Sequence, residues 1–228
     1  MALFSYKLKW KYKMNKDIIT YYGKRAEEYE QIYRKPERQD ELKKIKGLLQ
    51  NILAGKDILE IACGTGYWTE RISQRAKSIL ATDINDTVLE IAKSKNYPKD
   101  NVRFQKQDLF SFEPDRKFGS LFGGFIWSHI KLQELEDFIL KINSFVDISG
   151  TIVFIDNNYA EGSSHPLTKE DEAGNTYQTR KLKDGSSHLV LKNFFSEEFV
   201  LKKLEGKAEE INFVNFRYYW LLSYKNKS

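Results

Sequence analysis

Apolar positions along the chain change their spacing, and the change separates predicted helices from predicted strands. From residue 15 to residue 53, apolar side chains recur every three or four positions, which predicts helices. Pro36 suits the first position of the second of these helices, where a missing N–H has no consequence. Farther along, short apolar runs typical of buried strands cover residues 57–61, 78–82, 102–105, 120–126 and 150–155. The stretches between them are amphipathic and predict helices at 67–76, 86–94 and 132–145.

Strands that alternate with helices predict an α/β fold with a doubly wound, mostly parallel sheet. After residue 156 the pattern changes, because two extended stretches at 176–182 and 187–195 flank the turn sequence Lys183-Asp-Gly185. Two late strands near 208–213 and 218–224 bring the expected sheet to seven strands. We therefore expect a Rossmann-like sheet with helices before it and a β-hairpin inserted after the fifth strand.

The charge distribution indicates one domain preceded by a basic leader. The chain has 228 residues and a net charge of +5, with 37 basic and 32 acidic residues. Five lysines precede the first acidic residue, Asp17, and without them the remaining 32 basic residues equal the 32 acidic ones. We expect a leader at 1–14, extended or unstructured, and one domain at 15–228. Within that domain, residues 15–54 form a helical lid and residues 156–195 an inserted loop and hairpin.

Composition excludes several classes of protein. Cys63 is the single cysteine, so neither a disulfide framework nor a zinc cluster forms within one chain, and a cytoplasmic location is expected. No apolar run reaches the roughly 18 residues needed to span a bilayer, so we expect no membrane span. Without the leading lysines the chain has no excess of basic charge, so a nucleic-acid partner is not favoured. The basic leader does not exclude one.

The most informative segment is the loop Glu60-Ile-Ala-Cys-Gly-Thr-Gly66, between a predicted strand and a predicted helix. Glycines in such a loop let a ligand approach the backbone closely. The dinucleotide pattern G-x-G-x-x-G requires a third glycine where this chain has Thr69. The phosphate-binding pattern G-x-x-x-x-G-K-[ST] is absent as well. An NAD-dependent oxidoreductase is therefore only an alternative.

The loop resembles motif I of the class I S-adenosylmethionine (SAM) methyltransferases, [DE]-x-[GA]-x-G-x-G, with Ala62 in place of the usual first glycine. Three further motifs of that family are present in the family's order. Asp83 ends the second strand, Asp108 follows the third, and the N-terminal pattern Tyr21-Tyr22-x4-Glu27-Glu28-Tyr29 resembles a tyrosine motif of the family. The resemblance covers residues 17–160, and the motifs are similar to those of small-molecule methyltransferases of the ubiquinone and menaquinone type.

The resemblance implies SAM as the cofactor and no metal. It implies that the Asp83 carboxylate accepts hydrogen bonds from both ribose hydroxyls, that Asp108 contacts the adenine amino group, and that Tyr29 closes over the methionine end. Cys63 is interpreted as a small packing residue. The complete set of expected cofactor-binding residues is Tyr29, Glu60, Ala62, Cys63, Gly64, Gly66, Asp83, Ile84, Asp108 and Leu109.

Methyl transfer from a sulfonium requires alignment of two reactants and exclusion of water, so the methyl acceptor leaves little trace in a sequence. The Asn/Asp-Pro-Pro-Tyr motif of many amino-group methylases is absent after the fourth strand. His129 stands there instead, and it is a candidate catalytic base or a group that orients an acceptor hydroxyl. A structural histidine near a helix start is an equally good interpretation. The expected acceptor-site residues are Trp127, Ser128, Asn157, Tyr159, His165, Tyr177 and Arg180.

The sequence thus favours methyl transfer from SAM to an oxygen, nitrogen or carbon atom of a small organic acceptor. An inserted hairpin resembles those methyltransferases that enclose small acceptors. The alternatives are an RNA or protein methyltransferase that uses the basic leader, and a SAM-binding module without catalysis.

Overall fold

Ten strands form two sheets within residues 16–227, the part of the chain that this computed structural model describes. In chain order they are β1 (Asp57–Ile61), β2 (Ser78–Asp83), β3 (Val102–Lys106), β4 (Phe118–Gly124), β5 (Val146–Asn157), β6 (Lys169–Glu170), β7 (Thr176–Lys181), β8 (Ser187–Leu191), β9 (Ala208–Asn215) and β10 (Tyr219–Asn226). Seven of them make the large sheet, in the order β3-β2-β1-β4-β5-β10-β9. β1 to β5 are parallel, and β10 is antiparallel to both of its neighbours. The predicted doubly wound, mostly parallel sheet is confirmed.

Helices flank the sheet and precede it. They are α1 (Lys16–Lys24), α2 (Gln39–Ile52), α3 (Tyr67–Ser73), α4 (Asp86–Lys93), α5 (Leu135–Ser144) and α6 (Glu197–Leu204). The N-terminal helical region differs from the prediction, because Ala26–Arg34 is a 3-10 helix. This helix ends at Lys35, which has an extended ψ of 120°. The ring of Pro36 disfavours the helical conformation for the residue before it, so the chain turns there.

The core has two layers, one on each face of the large sheet. One layer is built around Leu121, Ile152 and Trp220, and the other around Ile58, Phe122 and Leu221. Neighbouring positions on β4 and β10 thus point to opposite faces, as the two-residue period of a strand requires. Because both faces are covered, the carboxyl ends of the parallel strands are left as the accessible edge.

The inserted hairpin forms as predicted. β7 and β8 pair around the turn sequence Lys183-Asp-Gly185, in which Gly185 has a φ of +82°. The hairpin packs on α1, where Ile18 and Tyr21 meet Val190 and Leu191 in a small apolar cluster. Two segments about 170 residues apart in the sequence therefore lie together beside the carboxyl edge of the sheet.

The predicted leader at 1–14 lies outside the described residues. No helix within residues 16–227 combines the length and the apolar character needed to cross a membrane.

Candidate active site

The carboxyl ends of β1, β2 and β4 open into a cavity with about 880 Å³ of empty space, which we call the sheet-edge cavity. It lies where the strand order reverses between β1 and β4, the usual position of a ligand site in a doubly wound sheet. Its apolar walls come from Ile84, Val88 and Leu109, and its polar ones from Asp83 and Asp108.

The loop after β1 presents its backbone to this cavity. Ala62 and Gly64 both have positive φ, +50° and +56°, and both line the cavity. A Cβ on Gly64 would have no atom within 4 Å, so a side chain there would occupy cavity space. Gly66 has a different role, since it does not line this cavity and its Cβ would meet the Tyr97 hydroxyl oxygen at 2.8 Å. Gly66 therefore permits close packing behind the loop.

The two predicted aspartates are held by backbone N–H groups. The Asp83 carboxylate accepts hydrogen bonds from the N–H of Gly64 and the N–H of Asn85, each at 2.9 Å. Burial raises the pKa of Asp83, although these bonds favour its ionised form. Asp108 accepts a hydrogen bond from the N–H of Phe110 at 3.0 Å through Oδ1. Both carboxylates are thus fixed in orientation at the cavity wall.

A narrow extension of about 310 Å³ continues from the sheet-edge cavity past Glu60 and Cys63. Glu60 is 2% exposed, and its Oε2 has no hydrogen-bond partner among the described residues. Burial and, less strongly, the charge of Asp83 raise the pKa of Glu60 to about 8. Burial also raises the pKa of the Cys63 thiol well above its usual value, so a thiolate nucleophile is disfavoured there.

A second cavity, the insertion cavity, has about 660 Å³ of empty space and lies between the N-terminal segment and the inserted residues 157–194. It shares Tyr22, Tyr29 and Phe125 with the sheet-edge cavity. Tyr29 lines the narrow extension too, and its ring meets the ring of Tyr22 edge-on at 5.6 Å between centroids. These three aromatic residues form the junction of the cavities.

His129 contacts Tyr22 at the junction. It is 7% exposed, and both of its ring nitrogens are hydrogen-bonded. Its Nδ1 is 2.7 Å from the carbonyl oxygen of Leu191, and its Nε2 is 2.9 Å from the hydroxyl oxygen of Tyr22. Burial and then the charge of Lys192 hold the pKa of His129 well below its usual value. The ring is therefore neutral at pH 7. Since a carbonyl oxygen only accepts, Nδ1 carries the proton and Nε2 accepts from Tyr22.

Comparisons with known proteins agree with this geometry. Residues 58–150 match the family model described as a methyltransferase domain. Malonyl-(acyl-carrier protein) O-methyltransferase 1 of Ilyobacter polytropus is 28% identical over 162 residues, which cover 66% of this chain and 58% of that protein. The chain thus spans less than two thirds of that relative's length.

Among solved structures, the DhpI–SAH and DhpI–SAM–HEP complexes each match with a TM-score of 0.77 at 25% identity. Each match covers 94% of this chain and 98% of DhpI. Residues 58–150 of the chain thus form a methyltransferase domain of the class I SAM-dependent type. Its cofactor is SAM, which the family uses and the DhpI complex contains. Magnesium protoporphyrin IX methyltransferase from Synechocystis PCC 6803 has the same fold, with a TM-score of 0.55 at 15% identity, over 83% of this chain and 80% of that one.

The residues of the methyltransferase's sheet-edge cavity fit this cofactor. The unpartnered Oε2 of Glu60 suits the ammonium group of the methionine end, since a buried carboxyl without a hydrogen-bond partner gains one there. Gly64 leaves room beside the loop. Asp83 would hold the ribose and Asp108 the adenine amino group. Every expected cofactor-binding residue lines the sheet-edge cavity or its extension except Gly66.

The structure brings three of the seven expected acceptor-site residues into the insertion cavity, namely Asn157, His165 and Arg180. The other four lie elsewhere. Trp127 is fully buried in the core, between the rings of Phe154 and Trp220, so the expected aromatic wall is formed by other residues. Ser128 is 1% exposed and donates from both N and Oγ to the carboxylate of Asp156, at 2.9 Å each.

Tyr159 and Tyr177 also lie away from the insertion cavity. Tyr159 is 45% exposed and packs edge-on against Phe194. Tyr177 donates its hydroxyl hydrogen to Asp171 at 3.0 Å, which turns the side chain toward the loop before β7. Both tyrosines therefore support the insertion from outside.

The residues of the insertion cavity that were not predicted include Arg25, Lys35, Arg38, Gln178 and Lys192. The first three belong to the N-terminal helical region, where charged residues ordinarily form a solvated face. Lys192 could have been found from the sequence, because it is a charged residue within the mostly apolar stretch 189–195. It is 4% exposed, and its ammonium contacts Asp156 Oδ1 at 3.2 Å and Ser128 Oγ at 2.6 Å.

Proposed function

We propose that the protein transfers the methyl group of SAM to a small organic acceptor bound in the insertion cavity, at an oxygen, nitrogen or carbon atom. Bound SAM supplies an electrophilic methyl group on a sulfonium. The chain's own contribution is to hold both reactants in line and to exclude water from between them. No general base is required unless the acceptor loses a proton.

The shared junction of Tyr22, Tyr29 and Phe125 carries this proposal. A ligand in the sheet-edge cavity and a ligand in the insertion cavity would meet at these residues. The insertion cavity combines aromatic side chains with a few polar ones, the kind of lining that small-molecule sites have. Arg38 Nη2 donates to Ser163 Oγ at 2.9 Å, which joins the N-terminal segment to the insertion beside this cavity.

His129 is proposed to act through Tyr22. Because Nε2 of the neutral ring accepts the Tyr22 hydroxyl hydrogen, His129 fixes that hydroxyl at the junction. Because the pKa of His129 is held well below its usual value, the ring is a weak proton acceptor, and its proposed role is to orient the Tyr22 hydroxyl. The small-acceptor proposal also agrees with the DhpI–SAM–HEP complex, in which a third component accompanies SAM.

Labelled SAM tests the proposal. The full chain is incubated with methyl-labelled SAM and with two fractions of a cell extract, one of small metabolites and one of RNA and protein. We expect label in the small-metabolite fraction, lost in Asp83→Ala, because that variant lacks the carboxylate expected to hold the ribose and should bind S-adenosylhomocysteine (SAH) at least about tenfold more weakly. Asp86→Ala, at the exposed first residue of α4, is the matched control.

Label in the polymer fraction would replace the proposal by an RNA or protein methyltransferase. SAH binding without label in either fraction would favour a binding module without catalysis. His129→Gln should slow labelling with little change in SAH affinity, whereas unchanged labelling would assign His129 a purely structural role.

A further inference from the structure

The insertion cavity has an excess of positive charge that methyl transfer as such does not require. No aspartate or glutamate of residues 16–227 lines it, whereas five basic side chains do. Lys192 is paired with Asp156 at 3.2 Å. The other four have no carboxylate at salt-bridge distance among the described residues, and we call them the cationic cluster: Arg25, Lys35, Arg38 and Arg180.

Arg180 shows the imbalance most clearly. It is 9% exposed, and its Nη2 and Nε donate to the neutral amide oxygen of Gln178 at 2.7 and 3.3 Å. Its guanidinium carbon lies 5.7 Å from the ring centre of Tyr21. An arginine remains charged when it is buried, so burial without a counter-ion costs free energy. A bound anion would remove that cost.

Arg38 and Lys35 hold the far side of the cavity. Arg38 is 7% exposed, lies against the rings of Tyr218 and Tyr219, and donates to Ser163. Lys35 donates to the carbonyl oxygen of Ser163 at 2.6 Å. The carboxylate of Glu37 approaches from outside, accepting from Ser163 Oγ at 2.8 Å. The carboxylate of Glu37 does not line the cavity, whereas the four cationic side chains do.

His165 lies among these charges. Burial and then the charges of Arg180, Arg25, Lys35 and Arg38 lower its pKa. These four charges are all positive, so this part of the cavity disfavours a proton on the ring. It would repel a cationic acceptor for the same reason.

We propose that the cationic cluster is an oxyanion subsite, and that the methyl acceptor is a small molecule with a carboxylate or phosphoryl group. This inference rests on the proposed function. Guanidinium groups match both kinds of oxyanion with paired hydrogen bonds. The cluster reaches the junction of the cavities, because Arg25 lies 5.8 Å from the ring centre of Tyr29. An anionic group held there lies beside the place where methyl transfer is proposed.

Inorganic phosphate is the probe for this subsite. The full chain, saturated with SAH, is titrated with phosphate at constant ionic strength, and binding is followed by calorimetry. We expect phosphate to bind, and Arg180→Gln to weaken it roughly tenfold or more, because a charge-assisted contact is lost. Arg180→Lys should recover part of the affinity.

Arg25→Gln, at a less buried position, tests the cluster if the Arg180 variants fold poorly. Arg103→Gln, an exposed position on β3, should bind phosphate as the unaltered protein does.

SAH affinity, measured for every variant, separates the two proposals. If the unaltered protein does not bind SAH, the proposed function itself is overturned. Normal SAH binding, with phosphate affinity that is absent or equal in all variants, would overturn the oxyanion subsite alone. Labelling of matched acceptors gives a second readout, in which we expect carboxylic acids and phosphate monoesters to be methylated in preference to their neutral amides and alcohols. A preference for the neutral members would contradict the inference.

Discussion

At the scale of single residues, Ala62 occupies a backbone conformation that favours glycine. Its φ of +50° lies in the left-handed region, which costs a residue with a Cβ about 1 kcal/mol. We expect Ala62→Gly to raise the free energy of unfolding by up to about 1 kcal/mol and the melting temperature by roughly 2–4 °C, measured by circular dichroism. Ala54→Gly is the control, since Ala54 is exposed and has no positive φ. Equal shifts in both variants would argue against backbone strain at Ala62.

Glu60 gives the ligand-free protein a distinctive pH dependence. Because burial raises its pKa to about 8, the folded chain binds a proton that the unfolded chain releases above about pH 4.5. Its contribution to stability is therefore full below about pH 4.5 and is lost as the pH rises to about 8, by about 1.4 kcal/mol per pH unit. Urea denaturation should show that Glu60→Gln removes this slope.

A bound SAH should flatten the same slope in the unaltered protein, because an ammonium group beside Glu60 would favour the ionised carboxylate. If SAH leaves the pH dependence unchanged, the methionine end of the ligand does not lie at Glu60.

At the scale of elements, the inserted hairpin is held by the loop after β4. The N–H of Asn193 donates to the carbonyl oxygen of Ser128 at 2.9 Å, and the Asn193 side chain donates to that of Ile130 at 3.0 Å. The buried pair of Lys192 and Asp156 joins the end of the hairpin to the end of β5. The hairpin thus depends on polar contacts to the sheet edge as well as on the apolar cluster with α1.

Asp156→Asn should weaken this attachment strongly, because it leaves the Lys192 ammonium buried without a counter-charge. We expect the free energy of unfolding to fall by about 3 kcal/mol, measured in urea. Combining Asp156→Asn with Lys192→Met should restore part of that loss. Asp86→Asn, which breaks an exposed pair with Lys106, should change stability little. A small effect of Asp156→Asn would mean that the pair does not hold the insertion.

The elements themselves were largely predictable, because their signals are local. Strand–helix alternation and the turn at Lys183–Gly185 predicted the sheet and the hairpin. The 3-10 helix Ala26–Arg34 was expected only as helical, since apolar spacing of three or four residues fits either helix type. Trp127 was placed wrongly, because a tryptophan just after a strand has the same sequence signal whether it faces a cavity or the core.

At the scale of the whole molecule, the site depends on contacts that sequence spacing does not express. Arg180 was predicted from its place on the hairpin, but Arg25 and Arg38 were not. They join Arg180 only because β8 packs on α1 and Ser163 reaches Arg38, across 125 residues of sequence. The expected cofactor residues other than Tyr29 lie on a single loop and at two strand ends, so local sequence patterns are enough to propose them.

The two cavities are lined by largely different parts of the chain. Of residues 58–150, all of which the structure describes and which match the family model, Phe125 alone lines the insertion cavity. The remaining lining comes from the segments before and after that range. On the proposed function, differences in acceptor preference among relatives are therefore expected mainly in the segments before and after residues 58–150, whereas Glu60, Asp83 and Asp108 lie within that range.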